Sequence, residues 1–195
     1  MNEMASRTVA ARPGGRTAET SRRIFEATLE LLVEDGIAAC GFQAVAERAD
    51  VARATLYRRW NSRAALVADA LASRLESFIP TPDTGTLAGD LAALLNGLGV
   101  FLQTGLGRAA IAASAELAGD ADSERANFWR ARLSSVAPIL ERAATRGELP
   151  ADADRDALLA CAAGALYFRL LITAQPVDRD WSQRAVMQVL RGVRR

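Results

Sequence analysis

Val45-Ala46-Glu47-Arg48-Ala49-Asp50-Val51-Ala52-Arg53-Ala54-Thr55-Leu56-Tyr57-Arg58-Arg59-Trp60 is the stretch that decides the fold. Val45, Ala46 and Ala49 recur at the spacing of one helix face, on a short helix that begins at Gly41 or Phe42 and ends at Ala49. Asp50 stands where the chain must turn, and a second short helix, Ala52 to Trp60, follows at once. Two short helices joined by a turn of about three or four residues predict a helix-turn-helix, whose second helix lies in the major groove of DNA. On that second helix Ala52, Leu56 and Trp60 share one side and face the preceding helices. This leaves Ala54, Thr55, Tyr57 and Arg58 outward and Arg53 in the first turn. Arginine bonds guanine bidentately, threonine meets a base or a thymine methyl, and tyrosine offers its hydroxyl to phosphate.

The charge pattern points the same way. The whole chain of 195 residues carries a net charge of only +1, so any nucleic-acid surface must be local. Between Arg53 and Arg63 stand Arg53, Arg58, Arg59 and Arg63 with no Asp or Glu. Solvated surface charge is the plainer reading of Arg58 and Arg59 taken alone; the surrounding run favours DNA.

Upstream, Ile24, Phe25, Ala27, Leu29, Leu31 and Leu32 predict a helix from Thr17 or Ala18 to Asp35, stopped by Gly36. Downstream, Asn61 or Ser62 caps a long helix carrying Leu66, Val67, Ala70, Leu71, Leu75 and Phe78, and Pro80, Pro82 and Gly85 break the chain after it. Residues 1–16 read as a disordered basic arm, 17–79 as the DNA-binding domain with its linking helix, and 80–195 as a regulatory and dimerisation domain. Further helices are expected at about Leu87 to Gln103, Arg108 to Ala118, Ser123 to Arg146, Arg155 to Ala174 and Trp181 to Gly192, with Pro138 kinking or splitting the third. No alternating strand pattern occurs, so the fold is predicted to be all-α: a three-helix helix-turn-helix domain joined by a long helix to a helical bundle.

The chain contains no histidine, and every basic residue is arginine. That removes Ser-His and Cys-His pairs, imidazole metal ligands, Schiff-base lysines and the P-loop lysine, so neither an enzyme nor a metal or other cofactor is expected. Cys40 and Cys161 lack metal or disulfide spacing and are read as small buried hydrophobes, with a redox role for either as the sharper alternative. The longest apolar run, Ala157 to Phe168, is too short to span a bilayer, and no signal-like stretch opens the chain; a cytoplasmic, nucleoid-associated protein is expected.

The run from Val45 to Trp60, followed by Ser62-Arg63 and Leu66 and preceded by Ile24, Phe25, Ala27, Leu31 and the Gly36 turn, resembles the DNA-binding domain of the tetracycline-repressor (TetR) family. The resemblance covers roughly Thr17 to Leu71. It implies that Ala52 to Trp60 is the recognition helix, with Arg53, Ala54 and Thr55 near bases, and Tyr57 and Arg59 near phosphate. It also implies that Arg63 binds phosphate at the start of the linking helix and that Gln43 reaches a base. Three departures stand out: Asp50 at the usual turn glycine, Cys40-Gly41 where a hydroxyl residue normally caps, and Arg59-Trp60 in place of His-Phe.

The C-terminal half is less legible. The apolar helix at 155–174 and the one at 181–192 are expected to form a two-fold dimer interface, as the resemblance also implies. Phe101, Ile111, Phe128, Trp129 and Tyr167 are candidate walls of an apolar pocket for an unknown small-molecule effector, with Glu116 as a polar anchor, although aromatic stripes also build plain cores. The expected function is a ligand-responsive repressor that binds a palindromic operator on double-stranded DNA as a homodimer. The alternatives are a DNA-bound regulator that recruits a protein partner without a ligand, and a helical small-molecule-binding protein.

Overall fold

The computed structural model describes residues 13–116, 122–150 and 152–193, with side chains described at 17–114, 134–150 and 152–192. These residues form helices without a strand among them: α1 (Pro13–Asp35), α2 (Phe42–Ala49), α3 (Arg53–Arg59), α4 (Arg63–Phe78), α5 (Leu87–Leu102), α6 (Gly105–Glu116), α7 (Asp122–Thr145), α8 (Arg155–Tyr167) and α9 (Arg179–Val193). The all-α expectation therefore holds. α1 begins at Pro13, a residue suited to a first helical position, so residues 13–16 of the expected arm are helical and only 1–12 lie outside the described residues.

The helix starts follow local capping chemistry. Ser62 Oγ accepts the Ala65 N–H at 3.0 Å, Thr86 Oγ1 the Gly89 N–H at 3.1 Å, Asp154 Oδ1 the Ala157 N–H at 2.9 Å and Asp178 Oδ1 the Trp181 N–H at 2.7 Å. Two expected boundaries are corrected. α6 starts at Gly105, not Arg108, because Thr104 caps it through the Gly107 N–H at 3.0 Å. A side chain at Gly107 would stand 2.2 Å from the Phe101 carbonyl, so that glycine permits the sharp 91° turn between α5 and α6 rather than ending a helix. The helix expected at 155–174 leaves α geometry at Phe168 and becomes a π-helical turn, Phe168–Ile172. The Thr173 N–H donates to the Phe168 carbonyl at 3.1 Å, and Arg169 donates to the Pro176 carbonyl and Gln175 Oε1, each at 2.7 Å. Pro138 lies inside α7 without ending it.

Two cores result. Ile24, Leu32, Val45, Leu56, Leu66 and Val67 form the first, from α1 to α4, and Ala113 of α6 is buried in the same cluster. Leu87, Leu91, Leu95, Ile139, Leu166 and Val186 centre the second, built from α5 and α7 to α9 with Leu75 from the last turn of α4. No single helix among the described residues is long and apolar enough to cross a membrane.

The strand of chain between the cores is fastened to α7 and the turn after it by polar groups. Thr81 Oγ1 donates to the Ser135 carbonyl at 3.0 Å, Arg142 donates to the Pro82 carbonyl, and Glu148 Oε2 accepts the Leu87 N–H at 2.6 Å. The fully buried Asp90 accepts both the Thr84 N–H and its hydroxyl, at 2.5 and 2.7 Å, while Arg142 and Arg146 stand 3.7 and 3.8 Å from its other oxygen. A buried carboxylate without such partners is strongly unfavourable. The cluster therefore specifies where the link lies.

Arg146 beside Glu148, with the Leu87 N–H, holds the Glu148 carboxyl below the usual carboxylate range. A carboxylate with a depressed folded-state pKa contributes stability above its unfolded pKa and loses it as pH falls through the folded value. Glu148→Gln should accordingly lower stability at neutral pH by about 1 kcal/mol. The gap to wild type should close in urea unfolding curves as pH falls below the ordinary carboxylate range; a gap independent of pH would refute the assignment.

Candidate nucleic-acid interface

The two helices of the motif are aimed by the chain before them. Gly36 adopts φ 77° and ψ −177°, a conformation open essentially to glycine, and ends α1. α2 then starts at Gly41 with no side-chain cap, as the Cys40-Gly41 pair leads one to expect. It ends at Asp50 in the left-handed region, φ 49° and ψ 58°, and the Val51 N–H donates back to the Ala46 carbonyl at 3.0 Å.

α3 is a seven-residue helix and cannot stand alone. Its inward face supplies the anchorage. Leu56 is fully buried, and Trp60 retains 5% exposure while its Nε1 donates to Asp69 Oδ2 on α4 at 2.8 Å and its ring meets Phe25 edge-on at 6.0 Å. Ala52, expected on the packed side, is instead exposed: it is the extended N-cap residue, not a helical one, so the 3.6-residue period does not yet govern it.

Arg53, Ala54, Tyr57, Arg58 and Arg59 are exposed and Thr55 is half-buried. Arg53 Nη2 donates to Tyr57 Oη at 2.7 Å, with the guanidinium 5.2 Å from the ring centroid, and Tyr57 is braced edge-on by Phe42 at 4.9 Å. Two of the proposed DNA contacts are thus ordered before any DNA is present. Gln43 donates to Glu47 Oε1 at 3.0 Å on the same side of α2. Arg59 lies over Trp60, 4.6 Å from its centroid, and donates to Ser21 Oγ at 2.8 Å; Arg63 donates to the Ala38 carbonyl at 3.2 Å. Arg58 makes no hydrogen bond or ion pair among the described residues.

Sequence reasoning missed Arg23 and Asp69. Arg23 of α1 donates to the Asp50 carbonyl at 2.8 Å and to Asp50 Oδ2 at 3.0 Å, and Asp69 receives the Trp60 indole. Both contacts join different elements, and no periodicity announces them.

Of the cysteines, Cys40 is buried with its Sγ 3.6 Å from the Thr28 carbonyl, and burial pushes its thiol up to about 11, which leaves it protonated and unreactive. Cys161 is exposed on α8 in the single chain, contrary to expectation, because α8 buries Leu158, Ala162 and Leu166 on one side and turns Ala160, Cys161 and Gly164 outward. Among the candidate effector contacts, Phe101 is buried in the second core and meets Phe78 edge-on at 5.6 Å, while Ile111 and Tyr167 are half-buried against that core. The side chains of Glu116, Phe128 and Trp129 lie outside the described residues. A groove of about 660 Å³ between α5 and α9 has Thr84, Thr86, Asn96, Arg179, Gln183 and Met187 in its walls and none of those candidates.

Comparison with known proteins agrees with this architecture. The family model "Bacterial regulatory proteins, tetR family" matches residues 24–70, and "Tetracyclin repressor-like, C-terminal domain" matches residues 81–189. The chain is 32% identical to the HTH-type transcriptional regulator AqdR of Rhodococcus erythropolis over 91% of its own length and 86% of the relative's. To the regulator YdeS of Bacillus subtilis it is 30% identical over 91% of both. The crystal structure of the TetR family transcription regulator SCO0332 superimposes with a TM-score of 0.74 at 32% identity, covering 90% of this chain and 98% of that one. FadR from Bacillus subtilis, crystallised with stearoyl-CoA, shares the fold at a TM-score of 0.60 and 17% identity, over 87% of this chain and 96% of that one.

The anchorage of α3 generates a graded expectation. Trp60→Phe keeps an aromatic ring but forfeits the bond to Asp69 and should cost about 1 kcal/mol, whereas Trp60→Ala should cost about 3 to 5 kcal/mol. Denaturant unfolding measures both; a Trp60→Phe cost near zero would mean that the indole N–H contributes nothing.

Proposed function

The chain belongs to the TetR family of bacterial transcriptional regulators, and from that premise we propose that this DNA-binding protein is a ligand-responsive repressor gripping a palindromic operator as a homodimer. Its family is one of transcriptional regulators, not of enzymes.

The observation that carries the reading is α3 itself: Leu56 and Trp60 lock one face, and Arg53, Tyr57, Arg58 and Arg59 crowd the exposed one. Arg53, Ala54 and Thr55 read base edges from the first turn. Tyr57, Arg58, Arg59 and Arg63 hold phosphates and fix the register, and Gln43 adds a base contact from α2. The protein accordingly resides at chromosomal DNA in the cytoplasm.

Dimerisation supplies the second half-site. Phe168, Leu171 and Ile172 of the π-helical turn and Met187 of α9 are 59%, 49%, 71% and 46% exposed in one chain, beside the small outward residues of α8. Such a surface calls for a partner, and small residues let a second helix approach closely. Two protomers joined there present two α3 helices about 34 Å apart, one turn of DNA.

The effector is a small molecule held among α5 to α8 by residues such as Phe101, Ile111, Glu116, Phe128, Trp129 and Tyr167. The same fold accommodates stearoyl-CoA in FadR. α4 transmits the change, since it carries Asp69 under α3 in its second turn and joins the polar cluster at Asp90 through the chain beyond its C-terminal end. A ligand that favours one α4 position changes the half-site spacing through differential affinity alone.

In mobility-shift titration against upstream intergenic DNA at two salt concentrations, specific binding should weaken steeply with salt and be lost in Arg53→Ala and Tyr57→Ala. No specific binding to any fragment in a genomic selection would overturn the reading. The double substitution Phe168→Glu, Ile172→Glu should yield a folded monomer by light scattering and weaken operator binding by about a hundredfold or more, the avidity of two linked half-sites. A dimer that survives it would place the interface elsewhere.

A further inference from the structure

The turn that aims α3 is held from outside by α1. Asp50 occupies the left-handed region that favours glycine, and the last carbonyls of α2 lack helical partners there. Arg23 of α1 meets both demands. Its Nη2 donates to the carbonyl of Ala49, to that of Asp50 at 2.8 Å and to Asp50 Oδ2 at 3.0 Å. The Asp50 side chain is 98% exposed and lines a cleft with Gln43, Glu47, Val51, Ala52 and Arg53, so its carboxylate lies among the groups assigned to DNA.

We infer that Arg23 is a positioning residue for operator binding, which clamps the Asp50 turn so that α3 meets the groove at a fixed angle. The inference rests on the DNA-reading role of α3. Nη2 is engaged by Ala49 and Asp50, and the salt dependence of binding separates this positioning role from direct contact with phosphate through Nε or Nη1. Glycine at position 50 takes the left-handed turn without help and carries no charge. The Arg23 clamp and Asp50 are therefore one coupled device.

A double-mutant cycle tests this on operator DNA selected with the wild-type dimer. Arg23→Ala should weaken operator binding about tenfold, the loss of charge-assisted hydrogen bonds, with the slope of log affinity against log salt unchanged. In an Asp50→Gly background the same substitution should cost less than about threefold, and Arg23→Lys, which keeps the charge but not the fork, should fall between. Equal losses in both backgrounds, with a salt slope shallower by about 0.9, would make Arg23 a phosphate ligand and overturn the inference. A loss confined to thermal stability, with unchanged affinity at low temperature, would overturn it as well. If wild type itself selects no sequence, the DNA-reading role fails and takes the inference with it; failure confined to the cycle rejects the clamp alone.

Discussion

Everything this protein does at DNA depends on Trp60 staying buried. A seven-residue helix has too few internal hydrogen bonds to persist in water, so α3 exists because Leu56 and Trp60 are pinned to the first core. The hydrogen bond from the indole to Asp69 adds direction to that attachment, since it joins the end of the reading helix to the first turns of α4. Burial of the two side chains contributes on the order of 2 to 3 kcal/mol each, and the polar contact makes one packing arrangement better than its neighbours. Rigid α4 then carries the position of α3 toward the second core.

α4 itself reaches the second core, where Leu75 is buried and Phe78 meets Phe101, and two further attachments join the halves. Ala113 of α6 sits among the buried side chains of α1 to α4, an apolar contact that tolerates little change in volume. The link from Ile79 to Leu87 is instead tied to α7 and Glu148 through Thr81, Pro82, Thr84, Leu87 and the buried Asp90, and ionic contacts of this kind depend on geometry more than on area.

The helix-turn-helix was legible because its rules are local. Hydrophobic spacing placed α2, α3 and α4 within a residue of their observed limits, and Asp50 and Ser62 took the turn and cap positions their chemistry favours. Outward placement of Arg53, Tyr57 and Arg58 followed from the same period. What escaped involves partners more than one helical turn away in sequence, or a helix face that the single chain leaves uncovered. Arg23 looks like any arginine on a polar helix face until α2 folds beside it, and Gly107 looks like a breaker until α5 and α6 turn against each other. The π-helical turn at Phe168 is held by Arg169 with Gln175 and Pro176, which lie past the end of the helix and outside any helical wheel. Cys161 was expected inside because α8 is apolar all round, yet a single chain covers only one of its sides.

The place of Ala113 has a consequence for how such a protein can be taken apart. The DNA-reading half is contiguous in sequence up to Phe78, but its interior is completed by a residue of α6, more than thirty positions further along. A fragment cut after α4 would keep every group proposed to face DNA and leave an apolar opening where α6 docks. The reading head is thus a unit of sequence without being a unit of stability. Grafting it onto another sensor would succeed only where the new partner brings its own small side chain to fill that opening.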